Sequence, residues 1–241
     1  MHPDTSRTRH TTTFDWGSPS ELRALLHLLH LVSPALPLGG YAYSQGLEYA
    51  VQAGWVRDES TAHDWIGGIA RAAVGTLDLP ILLRLYRAWR DGNAEAIEAW
   101  NAKLLAARET AELRAEDHNL GAALARVLEQ LDMPHARPWR RTPAALATLF
   151  SLAAFRWAIP EEAALAGYLW AWSENQVLCA LRLVPLGQSA GQRLLKRLGD
   201  AIPEVVSRAS ALEDAQICVS AFGQPLASAL HETQYTRLFR S

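Results

Sequence analysis

The chain is poor in the residues that would simplify its reading. It has two cysteines, Cys179 and Cys218, far apart and with no second Cys or His at ligand spacing near either. Neither a disulfide framework nor a zinc site is expected, and a reduced cytoplasm is the simplest setting. Charge is also scarce. Asp, Glu, Lys and Arg make up 20% of 241 residues and the formal net charge is −2. The basic surplus or basic patch that nucleic-acid binding favours is missing, so a helical DNA-binding regulator loses its warrant. A charged fraction below the usual quarter points to surface that is buried against partners. No uninterrupted apolar run reaches the ~18 residues of a membrane span. The first residues, Met1 to Trp16, are polar and lack the apolar centre of a secretory signal. The expectation is a soluble cytoplasmic protein with a disordered arm over 1–17.

Catalytic signatures are missing too. There is no Gly-x-Ser-x-Gly elbow, no His-Glu-x-x-His pair and no Asp-rich prenyl-phosphate motif. Gly39-Gly40 before Ser44 and Gly46 resembles a phosphate loop only superficially. It has neither the Gly-Lys-Ser/Thr ending nor a preceding strand, so nothing would cradle phosphates. His27 and His30 share one helix face, but no Asp, Glu or Cys completes a ligand set. His63-Asp64 and Asp117-His118 are sequence neighbours that point to different sides of a helix, and they are expected at the solvated surface. The expectation is no catalytic residue, no metal site and no cofactor.

What is present is helical periodicity. Apolar residues make up 49% of the chain, enough for a sizeable core. Ser18-Pro19-Ser20-Glu21 reads as a capping box with proline at the first helical position, followed by Leu22, Leu25, Leu26 and Leu29 at helical spacing. That helix should end near Val32. A Pro- and Gly-rich loop over 33–43 precedes a helix over 44–53. Asp58 or Ser60 caps the next, and Asp78 with Pro80 starts a fourth. Helices then cover 94–131 with a break near His118 and Asn119. A linker over 133–142 carries Trp139, which reads as a partner contact or as a solvated loop. Helices from Thr142-Pro143 and from Pro160 follow, then short ones over 189–198, 203–213 and 215–221. No β-alternation and no repeat is found. The fold class is all-α, a single compact bundle of roughly ten helices, divided as a helical domain over 18–230 and a tail over 231–241.

Three segments carry a resemblance. The first runs Ser33-Pro34-Ala35-Leu36-Pro37-Leu38-Gly39-Gly40-Tyr41-Ala42-Tyr43-Ser44-Gln45-Gly46-Leu47-Glu48. The second is Ser173-Glu174-Asn175-Gln176-Val177, continuing to Arg182 and on through Pro185-Leu186-Gly187-Gln188 to Gly191-Gln192. The third is the end of the chain, His231-Glu232-Thr233-Gln234-Tyr235-Thr236-Arg237-Leu238-Phe239-Arg240-Ser241. Together, in this order and over about 22–241, they closely resemble the UreF family of urease accessory proteins. In the residues themselves, Ser44 reads as an N-cap, Leu47 faces the core, and Glu48 should pair with a cation or with loop amides. Asn175 and Gln176 need hydrogen-bond partners if buried, in a core network or at a partner-facing surface.

The resemblance implies a non-enzymatic homodimeric adaptor. Such an adaptor bridges a UreD- or UreH-like accessory protein and a UreG-like GTPase, and the assembly loads nickel into apo-urease. A modulator of that GTPase, and in a different class a helical enzyme with an unrecognised pocket, are the alternatives. Matching motif positions suggests partner contacts at Tyr235, Arg237, Leu238 and Phe239, with Tyr168, Trp170 and Arg182 as further candidates. Pro37, Gly39, Gly40, Ser44, Gly46, Leu47, Glu48, Asn175, Gln176, Gln188 and Gln192 form the structural motif. Some relatives carry histidine where this chain has Tyr43, so the resemblance supplies no nickel ligand there.

Overall fold

The computed structural model describes residues 17–219 and 221–240. Most of the arm expected over 1–17 therefore lies outside the described residues. Ten α-helices and no strand are found among the described residues. Helix α1 (Pro19–Leu31) starts as its sequence predicts. The Ser18 hydroxyl accepts from the Glu21 amide at 3.3 Å, and the Glu21 carboxylate accepts from the Ser18 amide at 2.5 Å. Its leucine stripe does not face the core. Leu22, Leu25, Leu26 and Leu29 are exposed, and Ala24 and Leu31 are the buried residues of the helix.

After α2 (Leu47–Gln52), helix α3 (Glu59–Ile69) is capped by Asp58, which accepts from the Thr61 amide at 2.8 Å. The expected start at Asp78-Pro80 is not a start. Residues Ala70–Asp78 widen into a π-helical stretch and pass directly into α4 (Leu79–Asp91). The Leu79 amide reaches back five residues to Val74, and this wider winding accommodates Pro80, which has no N–H to donate and a ring that crowds an α-helical turn. The merged helix, Glu59–Asp91, is long and apolar enough to cross a membrane by length and composition, which the sequence reading did not anticipate. Within the fold, 78% of its most apolar window is buried, and it forms the centre of the main core.

The helical stretch over 94–131 breaks earlier than expected. Helix α5 (Ala94–Ala106) ends before Arg108, and α6 (Ala111–Gln130) starts at a Thr110 cap and runs through His118 and Asn119. The linker over 133–142 holds a 3₁₀ helix, Pro134–Arg140, packed on α6. Its Trp139 is 8% exposed and meets Trp89 edge-on at 6.3 Å, so it is a core residue and neither a solvated loop nor an exposed contact. Helix α7 (Leu146–Arg156) begins four residues later than Thr142 suggests, and α8 (Glu161–Leu183) follows Pro160.

Two short helices were expected across Pro203, but α9 (Gln188–Ala211) is continuous. It buries Leu194, Leu198, Ile202, Val205 and Val206 along one face. At roughly 1.5–3 kcal/mol for each buried aliphatic side chain, that face outweighs the ~3 kcal/mol cost of an internal proline. The helix expected over 215–221 is reduced to a single 3₁₀ turn, Asp214–Gln216. Pro225 does not mark a separate turn. It sits in the first turn of α10 (Gly223–His231), where a missing N–H has no intrahelical partner to lose.

Helix α8 packs on α9, and α4 on α7. A smaller core gathers Leu47, Ile66, Val177, Leu194 and Phe239, bringing α2, α3, α8, α9 and the chain end together. Helices α6 and α7 meet at Gly121, where an added Cβ would fall on the Ala144 carbonyl. Gly121→Ala is therefore expected to cost about 3 kcal/mol in urea unfolding, because the obstacle is backbone. Gly68→Ala, mid-helix with open space around it, should instead stabilise by about 0.5–1 kcal/mol.

Candidate functional site

The Pro- and Gly-rich loop ends in two left-handed residues, Gln45 (φ 54°) and Gly46 (φ 85°). Gly46 replaces Ser44 as the N-cap of α2. A side chain is excluded at Gly46 both by its φ and by the Ser228 amide of α10, 2.8 Å from where a Cβ would stand. Ser44 is buried two residues further back, and its hydroxyl still accepts from the Glu48 amide at 3.3 Å. Leu47 is fully buried, at the first helical position instead of the third.

Glu48 is itself buried, and its partners come from the far end of the chain. One carboxylate oxygen accepts from the Leu238 amide at 2.7 Å and the other from the Phe239 amide at 2.9 Å. The second oxygen also lies 3.1 Å from His231 Nε2. On its other side His231, fully buried, puts Nδ1 2.8 Å from Glu112 of α6. Glu112 in turn accepts from Arg237 at 2.9 Å. The Glu232 carboxylate accepts from the Ala111 amide at 3.0 Å, at the free N-terminus of α6. The Arg240 amide donates to the Ala42 carbonyl at 2.9 Å. Where loop amides were expected for Glu48, the amides that reach it are those of the tail.

The tail residues separate by environment. Phe239 is buried in the smaller core, and Arg237 is held by Glu112 with its side chain 41% exposed. Tyr235 is fully exposed and Leu238 is 64% exposed. Phe222 (88%), at the N-cap of α10, and Leu226 and Leu230 on that helix are further exposed apolar side chains, which the sequence reading missed. Their i, i+4, i+8 spacing was the signal available.

The second motif lies across from the loop. Asn175 Nδ2 donates to the Tyr43 carbonyl at 3.2 Å, joining α8 to the loop. Gln176 is fully buried with neither amide atom partnered, and the Ser173 hydroxyl is also unpartnered. Tyr168 is buried, and its hydroxyl donates to Asp78 at 3.2 Å. Trp170 is half-buried over Gly199, while Arg182, Pro37, Gln188 and Gln192 are exposed. His27 and His30 stack on Trp157 at 5.0 and 5.8 Å.

Beneath the loop lies a cluster that the sequence did not reveal. Arg108 bridges Asp78 (2.5 and 3.1 Å) and Asp117 (2.8 Å). Asp117 also accepts from the Leu146 amide at 2.6 Å, which starts α7. The expectation that Asp117 is solvated fails for this reason: its neighbour His118 points outward, but Asp117 turns in to the part-buried guanidinium of Arg108. Next to it, Glu116 accepts from Gln45 Nε2 at 2.9 Å through one oxygen, while the other has no partner. Gln45 Oε1 accepts from Trp172 (2.8 Å) and Gln224 (3.2 Å), so the loop, α6, α8 and α10 meet at one side chain. Burial above all pushes the Glu116 carboxyl up to about 8.

These features define a class: an all-α protein whose polar residues tie its chain end and its Gly-rich loop to a helical scaffold. The UreF family profile matches residues 56–199. Urease accessory protein UreF of Alkalilimnicola ehrlichii is 52% identical over 215 residues, covering 89% of this chain and 94% of that protein. The proteins of the same name from Hahella chejuensis (47% over 218 residues, 90% and 98%) and Azoarcus sp. (48% over 226 residues, 91% and 97%) are similarly related. The chain belongs to the UreF family of urease accessory proteins.

Glu48→Ala leaves two tail amides and His231 without their acceptor, and is expected to cost about 2–4 kcal/mol in urea unfolding. Carboxypeptidase should release the tail faster from that variant. Because His231 and Phe239 are buried, removing 231–241 strips a core element, so the tail's exposed residues are better probed by point substitution. Glu116 gives a pH signature. Its folded-state pKa is raised from 4.5 to about 8, so the folded chain holds this proton more tightly than the unfolded chain. The stability it contributes is complete below about 4.5 and is lost as pH rises towards about 8. Glu116→Gln should shrink the difference in urea midpoint between pH 5 and pH 8.

Proposed function

We propose that this chain is a urease maturation factor: a cytoplasmic adaptor, without catalysis of its own, that bridges a UreD- or UreH-like protein and a UreG-like GTPase while nickel is loaded into apo-urease. Membership of the UreF family supports the maturation role. The observation that carries the adaptor reading is the apolar surface of α10 and the tail. Phe222, Leu226, Tyr235 and Leu238 are exposed large apolar side chains, with Glu48 holding the Leu238 and Phe239 amides and Glu112 holding the side chains of His231 and Arg237. A rigid array of this kind suits the anchors of an interface, because little ordering entropy remains to be lost on binding. The sequence has no phosphate-loop motif, and GTP hydrolysis falls to the partner GTPase. Self-association is assigned to α1, whose Leu22, Leu25, Leu26 and Leu29 leave a contiguous apolar face open.

Phe222→Asp with Leu226→Asp should leave the melting temperature nearly unchanged. Recovery of the UreD- and UreG-like proteins in a pull-down should fall by tens-fold, an effect of about 2 kcal/mol or more. Urease activation in cells should fall with it. Normal assembly by a folded double variant rejects the surface. In sedimentation, the unaltered chain should run near twice the monomer mass at micromolar concentration, and Leu26→Asp with Leu29→Asp should return it to the monomer. An unchanged dimer removes α1 from the interface.

A further inference from the structure

Between the Pro- and Gly-rich loop, α6 and α8 lies an open cavity of about 200 Å³. Its walls include the apolar side chains of Leu36, Leu38, Phe150 and Leu178. Its polar groups are unbalanced. The carboxyls of Asp78, Glu116, Asp117 and Glu174 line it, and among the described residues Arg108 is the one cation that does. Arg108 is already shared by Asp78 and Asp117. That leaves Glu116, 4% exposed, with an oxygen that has no partner.

We propose that this cavity receives the lysine or arginine side chain of another protein, with the cationic head on the free oxygen of Glu116 and the alkyl stem along the apolar wall. Charge complementarity selects the head, since the lining is acidic and its one guanidinium is already engaged. The wall selects the stem, because Lys and Arg lay their methylenes on apolar surface while the charge finds its partner. A bare metal ion fits less well. Among the described residues no group of three or more His, Cys, Asp or Glu is arranged to hold one. With Asp78 and Asp117 engaged by Arg108, the Glu116 carboxyl beside the amides of Gln45 and Asn175 suits a monovalent hydrogen-bond donor.

Binding is coupled to a proton. Burial pushes Glu116 to about 8, and Asp117 and Asp78 act in the same direction against Gln45 and Arg108. The empty cavity therefore holds a neutral carboxyl at pH 7, and an arriving cation displaces its proton to solvent. The other groups facing it keep their state: the Cys179 thiol of α8 is pushed up to about 12 and the Tyr168 phenol well above its ordinary value, both by burial. Glu174, on the α8 side, is raised by burial as well. The inference does not rest on urease maturation, since it holds whichever protein presents the cation.

The test titrates n-butylguanidinium and, separately, nickel chloride into the full chain by calorimetry, in two buffers of different ionisation heat. The expected result is millimolar binding of the organic cation with between half and one proton released at pH 7. Its affinity should rise close to tenfold from pH 6 to pH 7, because one proton must leave. Glu116→Gln, which keeps an acceptor for Gln45, should weaken binding at least tenfold at pH 8 and remove the proton release. Absence of organic-cation binding overturns the proposal. So does a flat pH profile in the unaltered chain, or nickel binding that releases the proton where the organic cation does not. The pH profile needs no variant, so the proposal stays exposed to refutation even if Glu116→Gln does not fold.

Discussion

The part-buried guanidinium of Arg108 is the constraint on which most of the fold depends. It sits in the break between α5 and α6 and draws Asp78 from the π-helical stretch and Asp117 from α6 to one point. Asp117 also holds the first amide of α7, and Asp78 the phenol of Tyr168 on α8. Removing water from these ions is costly, and their mutual attraction offsets that cost only with all partners in place. One side chain thereby fixes the relative placement of five segments. It also determines what is left over. Two carboxylates absorb one guanidinium, so Glu116, the adjacent residue on α6, has no counter-ion among the described residues and holds its proton instead.

The Glu48 cluster solves a similar problem by different means. A carboxylate buried at the start of α2 needs donors, whereas the loop's Ser44 hydroxyl accepts from the Glu48 amide. Two amides and an imidazole arrive from residues nearly two hundred positions later. The chain end thus becomes part of the smaller core through Phe239, while its neighbours Tyr235 and Leu238 are turned outward. Fixing the backbone and exposing the side chains that precede Phe239 are two results of one set of hydrogen bonds. This lets a terminal segment, usually the least ordered part of a domain, present a defined surface.

Legibility in the sequence followed the range of the interaction. Local chemistry was readable: the Ser18–Glu21 capping box, the Asp58 cap and the helical period are decided within four residues, and the all-α class follows from them. Prolines were misread where tertiary burial outweighed them. Pro80 is absorbed by π winding and Pro203 by the buried face of α9, and neither compensation is visible in a window of ten residues. The α1 leucines show the converse limit. Period reveals that a stripe exists but not which side of it the core occupies. Polar clusters were least readable. Asp78 looked like a cap and Asp117 like a surface residue because their partner, Arg108, is distant in sequence from Asp78 and hidden by a helix break.

The motif segments owe their composition to this same long-range chemistry. Gln45 adopts a left-handed conformation that a residue with a long side chain seldom takes, at a cost on the order of 1 kcal/mol. The cost is offset because its amide then reaches Glu116, Trp172 and Gln224 at once, and only a side chain with both donor and acceptor can serve all three. Gly46 follows because α10 lies against it, and α10 lies there because Glu48 holds what comes after it. The run from Ser33 to Glu48 is therefore best understood as the meeting place of α6, α8, α10 and the tail. Its glycines and polar residues mark where four distant segments approach one stretch of backbone, which is why a sequence pattern so short can identify the whole chain.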